Sequence, residues 1–264
     1  MTIVYVGTSG YSFRDWVGPY YPADLDRRAW LQFYAQEFNA VELNVTFYRQ
    51  PTRHMLARMA DKVPEGFRFT LKLYRGLTHE RDVRQLPALA RQFADALVPL
   101  IEAAKFGCVL AQFPFSFRHT PEAEAYVRTL RAALPEIPMA VEFRRREWAK
   151  RSVFDLLRDL DLAFCAVDMP PLPGLMPPVV PVTADFSYVR FHGRNRQTWW
   201  KHREAWERYD YRYTEKELLE WGPRLRAMRA RAATIYLFAN NHWQGQAVET
   251  ARALKRLLVD SGEG

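Results

Sequence analysis

Eight short apolar segments, each followed by a longer segment of helical character, constrain the fold of this chain more than any other feature. Each is a compact run of Val, Ile, Leu, Phe, Tyr or Cys, as in strands that are buried on both faces of a parallel sheet. We predict strands at Ile3–Gly7, Ala40–Asn44, Phe67–Lys72, Cys108–Gln112, Met139–Phe143, Ala163–Asp168, Tyr188–Gly193 and Ile235–Ala239. Apolar residues at three- and four-residue spacing predict helices at Asp26–Phe38, Thr52–Lys62, Pro87–Lys105, Pro121–Ala133, Ser152–Leu160, Thr214–Arg231 and Gln246–Asp260.

Eight strand–helix units in 264 residues predict a single (β/α)₈ TIM-type barrel, with parallel strands inside and helices outside, as one domain over residues 1–264. A doubly wound open sheet is the main alternative, but that fold normally has a glycine-rich first turn. The segment Met169–Val182 contains six prolines. It could be a domain linker, but the strand pattern continues beyond it, so we expect a stiff loop on the catalytic rim of the barrel.

Composition narrows the class of protein. Hydrophobic residues make up 48% and charged residues 26% of the chain, as in a globular protein. No apolar stretch is long enough to span a membrane, and the N-terminus lacks the pattern of a signal peptide. We therefore expect a cytoplasmic protein without a membrane partner. Cys108 and Cys165 lie in apolar runs and are expected to be reduced core residues.

The chain is basic, with 38 Lys and Arg against 30 Asp and Glu. An arginine bias of the genome explains part of this excess. The remainder indicates an anionic partner, because a basic surface concentrates phosphates and arginine matches phosphate geometry.

Polar side chains follow nearly every predicted strand. In a barrel, the residues at the carboxyl ends of the strands form the mouth in which chemistry takes place. We expect Glu42, Lys72, Gln112, Glu142, Asp168 and His192 to face one mouth. Other residues at these ends are Thr8, Ser9, Asn44, Asn240 and Asn241.

Several motifs make the sequence similar to a known family. They are Gly7-Thr8-Ser9-Gly10-Tyr11, Val41-Glu42-Leu43-Asn44, Phe69-Thr70-Leu71-Lys72, Gln112-Phe113-Pro114, Val141-Glu142-Phe143-Arg144, Tyr188-Val189-Arg190-Phe191-His192-Gly193-Arg194 and Asn240-Asn241-His242. In combination they resemble the YecE-like family, also called domain of unknown function 72. The resemblance covers essentially the whole chain and implies a TIM-type barrel without an established biochemical activity. A likeness in shape to apurinic-site endonuclease barrels would imply nucleic acid by analogy alone. This sequence has Phe238-Ala239-Asn240 where the family usually has Phe-Asn-Asn.

The acidic residues and the histidine of the mouth allow two interpretations. Glu42, Glu142, Asp168 and His192 could together bind one divalent metal, with Mg²⁺ or Mn²⁺ suiting these ligands better than Zn²⁺. A multi-zinc site would need more histidines, so one hard metal or none is expected. Without a metal, Glu142 and His192 could act as general base and general acid, with Glu42 and Asp168 orienting them. The alternative is that Glu142 forms an ion pair with Arg144 or Arg190 at the rim.

A second set of residues indicates contacts with phosphate. The segment Arg190–Arg203 contains five basic residues, no acidic residue and two adjacent tryptophans. Such a segment suits single-stranded nucleic acid, since cations contact phosphates and aromatic rings stack on bases. The alternative is a solvated basic loop whose tryptophans pack on the barrel. We expect phosphate contacts from Thr8, Ser9, Lys72, Arg190, Arg194, Arg196, Asn240 and Asn241, with Asn44, Gln112, Trp199 and Trp200 as further pocket residues.

These observations favour a barrel protein that binds a phosphate-bearing ligand, either nucleic acid or a nucleotide. Phosphodiester hydrolysis is the reaction to test first, which would make the protein a hydrolase. One alternative is a carbohydrate or sugar-phosphate enzyme, since carboxylates and aromatic residues also suit sugar rings. The other is a non-catalytic nucleic-acid-binding module.

Overall fold

All eight predicted strands are present and run parallel in one sheet. The computed structural model describes residues 2–260, apart from the side chains at 205, 259 and 260. The sheet order is β1-β8-β7-β6-β5-β4-β3-β2. The strands are β1 Ile3–Thr8, β2 Ala40–Leu43, β3 Arg68–Lys72, β4 Phe106–Gln112, β5 Met139–Glu142, β6 Ala163–Asp168, β7 Phe186–Phe191 and β8 Thr234–Ala239. This order is that of a nearly closed barrel, so the predicted fold class is confirmed.

The two ends of this sheet, β1 and β2, meet at a seam that side chains help to close. One parallel bridge, between Ser9 and Glu42, joins the two segments at the carboxyl end. Nearer the amino end of β1, the Asn39 side chain takes the place of a backbone contact between β1 and β2. Its Oδ1 accepts a hydrogen bond from Val6 N at 2.8 Å, and its Nδ2 donates to Val4 O at 3.1 Å. The side-chain amide thereby satisfies two backbone groups that a neighbouring strand would otherwise pair.

Gly7 and Tyr34 explain how closely the two strands approach at the middle of the seam. A Cβ on Gly7 would lie 1.9 Å from Ala40 O, so only glycine fits there. The Tyr34 hydroxyl accepts a hydrogen bond from Thr8 N at 2.8 Å and donates to Ala40 O at 3.0 Å. A single buried hydroxyl therefore bridges the backbones of β1 and β2.

The helices surround the strands largely as predicted. They are α1 Trp30–Tyr34, α2 Val45–Tyr48, α3 Arg53–Ala60, α4 Leu86–Glu102, α5 Pro121–Ala133, α6 Arg151–Asp159, α7 Glu215–Leu219, α8 Gly222–Arg229 and α9 Gln246–Asp260. The Thr120 hydroxyl caps α5, and Thr214 forms a capping box with Glu217 at the start of α7.

Two predicted helices differ from the structure. The segment predicted as Asp26–Phe38 divides into a 3₁₀ turn at Arg27–Ala29 and the short helix α1. The segment predicted as Thr214–Arg231 is two helices, α7 and α8. The break coincides with Gly222-Pro223, where proline lies in the first turn of α8 and cannot donate the hydrogen bond that a continuous helix needs.

The proline-rich segment, residues 169–182, lies beside the loop that follows β5. Met176 N donates to Arg144 O at 2.9 Å, and Arg146 N donates to Gly174 O at 3.0 Å. These bonds attach the segment to the carboxyl rim of the barrel, where we expected it. Across residues 2–260, none of the helices combines the length and apolar character that crossing a bilayer requires.

Candidate functional site at the carboxyl end of the barrel

A buried ion network lies inside the barrel at the carboxyl end of the strands. Arg190 on β7 donates through Nη2 to Glu42 Oε1 at 2.6 Å and through Nη1 to Glu142 Oε2 at 2.7 Å. Tyr188 Oη donates to the other oxygen of Glu42 at 2.7 Å. The side chains of the two glutamates are 0% exposed and that of Arg190 is 2% exposed. One guanidinium thus bridges two buried carboxylates and neutralises part of their charge.

Strand alternation explains why these residues share the interior. Side chains two residues apart in a strand point to the same face. Tyr188 and Arg190 both reach Glu42, and His192, two residues further, lies 3.3 Å from Glu142 Oε1. Arg190 was predicted to contact phosphate, but both of its terminal nitrogens bind carboxylates. Arg190 is therefore not available to contact phosphate, and this prediction was wrong.

Glu142 is held as a carboxylate by three neighbours. Burial raises its pKa, but the charges of Arg144 and Arg190, with the nearby His192, outweigh burial and hold it well below 4.5. Arg144 Nε lies 2.5 Å from Glu142 Oε1. The pairing of Glu142 with Arg144 and Arg190 that we considered as an alternative is therefore confirmed. A carboxylate stabilised in this way is a poor general base near neutral pH.

His192 is equally constrained. Burial and the charge of Arg144 lower its pKa to about 3, so the imidazole is neutral. Its Nδ1 lies 2.8 Å from Asn240 Nδ2, which can only donate, and this places the ring proton on Nε2, towards Glu142. A buried imidazole that stays neutral at physiological pH is not suited to the general-acid role that we predicted.

Lys72, at the end of β3, is the exception in this network. Its Nζ lies 4.0 Å from the centre of the Phe47 ring, and within residues 2–260 it has no hydrogen-bond acceptor and no carboxylate within ion-pair distance. Burial, followed by the charges of Arg190 and Arg144, lowers its pKa to about 7. Lys72 can therefore gain and lose a proton near neutral pH.

The surroundings of Lys72 carry excess positive charge. Burial, together with the charges of Lys72, Arg81 and Arg144, lowers the pKa of the neighbouring His79 to about 4. Arg144 is 10% exposed and uses Nε for Glu142, while its Nη1 contacts only the Met169 sulfur, at 3.8 Å. The outer part of its guanidinium thus has no carboxylate partner in the described chain. This corner of the mouth is electropositive.

The prediction that Asp168 faces the same mouth is wrong. Cys165 Sγ lies 3.9 Å from Glu142 Oε2, so Cys165 points inward, and Asp168, three residues later, points outward. There Asp168 accepts hydrogen bonds from Arg194 at 2.8 and 2.7 Å, from Tyr213 Oη at 2.8 Å and from Trp221 Nε1 at 2.7 Å. It forms a structural cluster with these donors and is not available to a ligand in the mouth.

Two further predicted phosphate contacts also point away from the interior. The Thr8 hydroxyl bonds to Gly10 O and the Tyr34 hydroxyl, and Asn241 Nδ2 donates to Tyr211 O at 2.8 Å and to Thr250 Oγ1 at 2.9 Å. Three other residues predicted for the mouth point inward instead. Ser9 Oγ lies 3.5 Å from Arg190 Nη2, Asn240 contacts His192, and the Gln112 amide bonds to Phe113 O beside Glu142.

The basic segment 190–203 is divided between paired and exposed residues. Arg194 binds Asp168 and Glu220, so it is not free to contact phosphate. Trp199 is 2% exposed and packs in the core, as in the alternative interpretation, whereas Trp200 is 48% exposed and contacts Phe115 edge-on. The residues of this segment that remain exposed and basic are Arg196, Lys201 and Arg203.

Asn44 lies in a different place, a cleft of about 710 Å³ between the loop after β1 and helix α3. Basic side chains, among them Arg27 and Arg58, line this cleft. No group of three or more His, Cys, Asp or Glu residues between 2 and 260 is arranged to hold a metal ion. The four proposed ligands Glu42, Glu142, Asp168 and His192 are not all brought together, because Asp168 points outward.

Sequence reasoning missed three residues of the mouth. Tyr188 binds Glu42, Phe47 covers the Lys72 ammonium, and His79 shares the electropositive corner. The alternation of Tyr188 with Arg190 on β7 was a usable signal for Tyr188. Phe47 lies in the one-turn helix α2 and His79 in the short helical turn Gly76–Glu80, and both segments are too short for a periodic pattern to indicate the direction of a side chain.

Together, the parallel barrel and the charged, largely buried cluster at its carboxyl end define a TIM-barrel protein with a polar mouth. The chain belongs to the family described as "Protein of unknown function DUF72", whose model matches residues 5–264. It is 30% identical over 273 residues to UPF0759 protein YunF of Bacillus subtilis, covering 97% of this chain and 95% of YunF.

Two solved structures of DUF72 proteins have the same fold. The Thermotoga maritima protein is 38% identical, with a TM-score of 0.90 over 97% of this chain and 99% of that chain. The Enterococcus faecalis protein is 26% identical, with a TM-score of 0.86 over 97% of this chain and 96% of that chain. The predicted family resemblance is therefore confirmed.

Proposed function

We propose that the mouth of the barrel binds a small phosphate-bearing ligand, whose anionic group contacts Lys72 and Arg144. The observation that carries this proposal is the Lys72 ammonium, which lacks an acceptor in the described chain while Arg190 and Arg144 act on it. A partly buried cation without an ion-pair partner in contact is unfavourable, and a bound anion would compensate it. The outer guanidinium of Arg144 provides a matching planar donor.

The same geometry argues against phosphodiester hydrolysis by Glu142 and His192. Both side chains are held in one protonation state by their neighbours. The sequence suggested two kinds of ligand, a nucleic acid backbone that would be hydrolysed and a sugar phosphate or similar small metabolite. Because Glu142 and His192 are not suited to acid–base catalysis, the electropositive corner around Lys72 and Arg144 favours the small metabolite.

Calorimetric titration with inorganic phosphate and with glycerol phosphate tests the proposal. We expect binding that weakens as salt increases, and about 10- to 100-fold weaker binding in Lys72→Met and Arg144→Met, since each change removes a charge-assisted contact of about 1.5–3 kcal/mol. Arg145→Met is the matched control, because Arg145 lies on the same loop but pairs with Glu147 at 3.0 Å. Equal losses in all three variants, or no binding by the parent protein, would refute the proposal.

A second candidate is contact with single-stranded nucleic acid through the exposed part of the basic segment. It is supported by the half-exposed Trp200 next to exposed Lys201 and Arg203. Replacing Arg196, Lys201 and Arg203 by alanine should weaken binding to all sequences alike and flatten its salt dependence by about one counterion per phosphate contact. If the triple variant binds single-stranded DNA and RNA like the parent at every salt concentration, this surface has no such role.

A further inference from the structure

Lys72 has the surroundings of a reactive amine rather than those of a structural lysine. A structural lysine satisfies its ammonium with acceptors, as Lys105 does by donating to Ala60 O and Val63 O, both at 2.7 Å. The ammonium of Lys72 instead faces the Phe47 ring at 4.0 Å, and its side chain is only partly buried. An amine without hydrogen-bond acceptors is free to approach an electrophile.

The charged groups around Lys72 come from four other elements of the barrel. Arg190 on β7 and Arg144 after β5 disfavour the ammonium, while Glu142 on β5 and Glu42 on β2 favour it. His79, in the helical turn Gly76–Glu80 after β3, is neutral near pH 7 because its own pKa is lowered to about 4. Because both glutamates also bind Arg190, their effect is the weaker one. A pKa lowered to about 7 gives Lys72 a substantial share of free amine at neutral pH.

We propose that Lys72 forms an imine with the carbonyl group of an anionic aldehyde or ketone whose phosphate lies against Arg144. This inference rests on the proposed function and adds the chemical class of the ligand, a phosphorylated carbonyl compound.

The reaction is balanced without an oxidant or a reductant. The neutral Lys72 amine adds to the carbonyl carbon and a C–N bond forms; the carbonyl oxygen takes up a proton and the nitrogen releases one, which gives a neutral carbinolamine. Loss of that hydroxyl as water, after a second protonation, gives the protonated imine. Protons exchange with solvent at the partly exposed Lys72, since Glu142 and His192 are each held in one protonation state.

Reductive trapping in the intact protein tests the inference. The probes are glycolaldehyde phosphate and neutral glycolaldehyde, each with cyanoborohydride at pH 7, followed by peptide mapping of the seven lysines. An ordinary lysine, with a pKa of about 10.4, has a free-amine fraction about a thousandfold smaller than that of Lys72. We expect Lys72 to be labelled at least about 100-fold faster than the average of the others, by the phosphate probe in preference to the neutral one.

Variants and a competitor complete the test. Lys72→Arg retains a charge but cannot form an imine and should lose the rapid labelling, while Lys216→Arg, on the exposed part of α7, should retain it. Inorganic phosphate should slow labelling of Lys72. Peptide mapping of the parent protein needs no variant, so the test remains decisive if Lys72→Arg does not fold.

The outcomes separate this inference from the proposed function. Labelling of Lys72 no faster than that of exposed lysines would overturn the imine, and the proposed function would stand if phosphate still binds by calorimetry. Rapid labelling of Lys72 at equal rates by both probes, unaffected by phosphate, would overturn the phosphorylated ligand and with it the proposed function.

Discussion

Replacing Arg190 with methionine is the most severe single test of the buried ion network. The change removes the bonds of 2.6 Å to Glu42 and 2.7 Å to Glu142 while roughly preserving side-chain volume. Glu142 keeps Arg144 as a counter-charge, but within residues 2–260 Glu42 keeps no ion-pair partner and retains the hydrogen bond from the Tyr188 hydroxyl. The variant therefore has one uncompensated buried carboxylate, not two.

The expected loss of unfolding free energy follows from the one carboxylate that is left unpaired. Removing one partner of a buried ion pair costs about 3–5 kcal/mol, because the remaining charge stays desolvated. We expect the free energy of unfolding of Arg190→Met to fall by about this amount at neutral pH. Urea unfolding followed by tryptophan fluorescence and by circular dichroism measures it. Adding Glu42→Gln should restore part of the loss, since the amide removes the unpaired charge.

The control is an exposed ion pair with the same change of residue type. Arg53 and Asp95 lie 3.0 Å apart, with side chains 52% and 60% exposed, so Arg53→Met should cost less than about 1 kcal/mol. If Arg190→Met destabilises the protein no more than this control, the network does not neutralise buried charge in the way argued above.

Three further changes test other parts of the structure. Tyr34→Phe removes the hydroxyl that bridges Thr8 N and Ala40 O and should lower the free energy of unfolding by about 1–3 kcal/mol in urea; an unchanged midpoint would contradict the role of this hydroxyl. Gly7→Ala places a Cβ 1.9 Å from Ala40 O and should open the seam, which faster amide exchange along β1 and β2 would report. Unaltered exchange would contradict the close approach of β1 to β2 at Gly7. Asp168→Asn loses the charge that accepts four hydrogen bonds and should cost about 2–4 kcal/mol in thermal unfolding, whereas a neutral effect would mean that this cluster is not structural.

The barrel could be predicted from the sequence because burial on both faces produces a compact apolar run for every strand. The seam could not be predicted. Tyr34 and Asn39 close it through hydrogen bonds to the backbone of β1, and no periodic pattern marks a side chain that substitutes for a strand. The break between α7 and α8 carried a visible signal in Gly222-Pro223, which the apolar spacing on either side obscured.

The site was predicted in position but not in chemistry. Residues at strand ends do converge, yet the direction of each depends on whether it lies an odd or an even number of residues from an inward-facing position. Asp168 points outward for this reason. The roles of Glu142 and Lys72 also depend on charges from other strands. Arg144 and Arg190 stabilise the Glu142 carboxylate, while burial and the same arginines lower the pKa of Lys72 to about 7. Such cross-strand effects cannot be obtained from sequence spacing.

The pKa of Lys72, measured with and without phosphate, tests the central claim most directly. The rate at which acetic anhydride acylates Lys72, followed by mass spectrometry of its peptide across pH, reports the fraction of free amine. We expect a pKa of about 7 without an anion. It should rise when phosphate saturates the mouth, because a bound anion stabilises the ammonium. A pKa near the ordinary lysine value of about 10.4, unaffected by phosphate, would contradict the account.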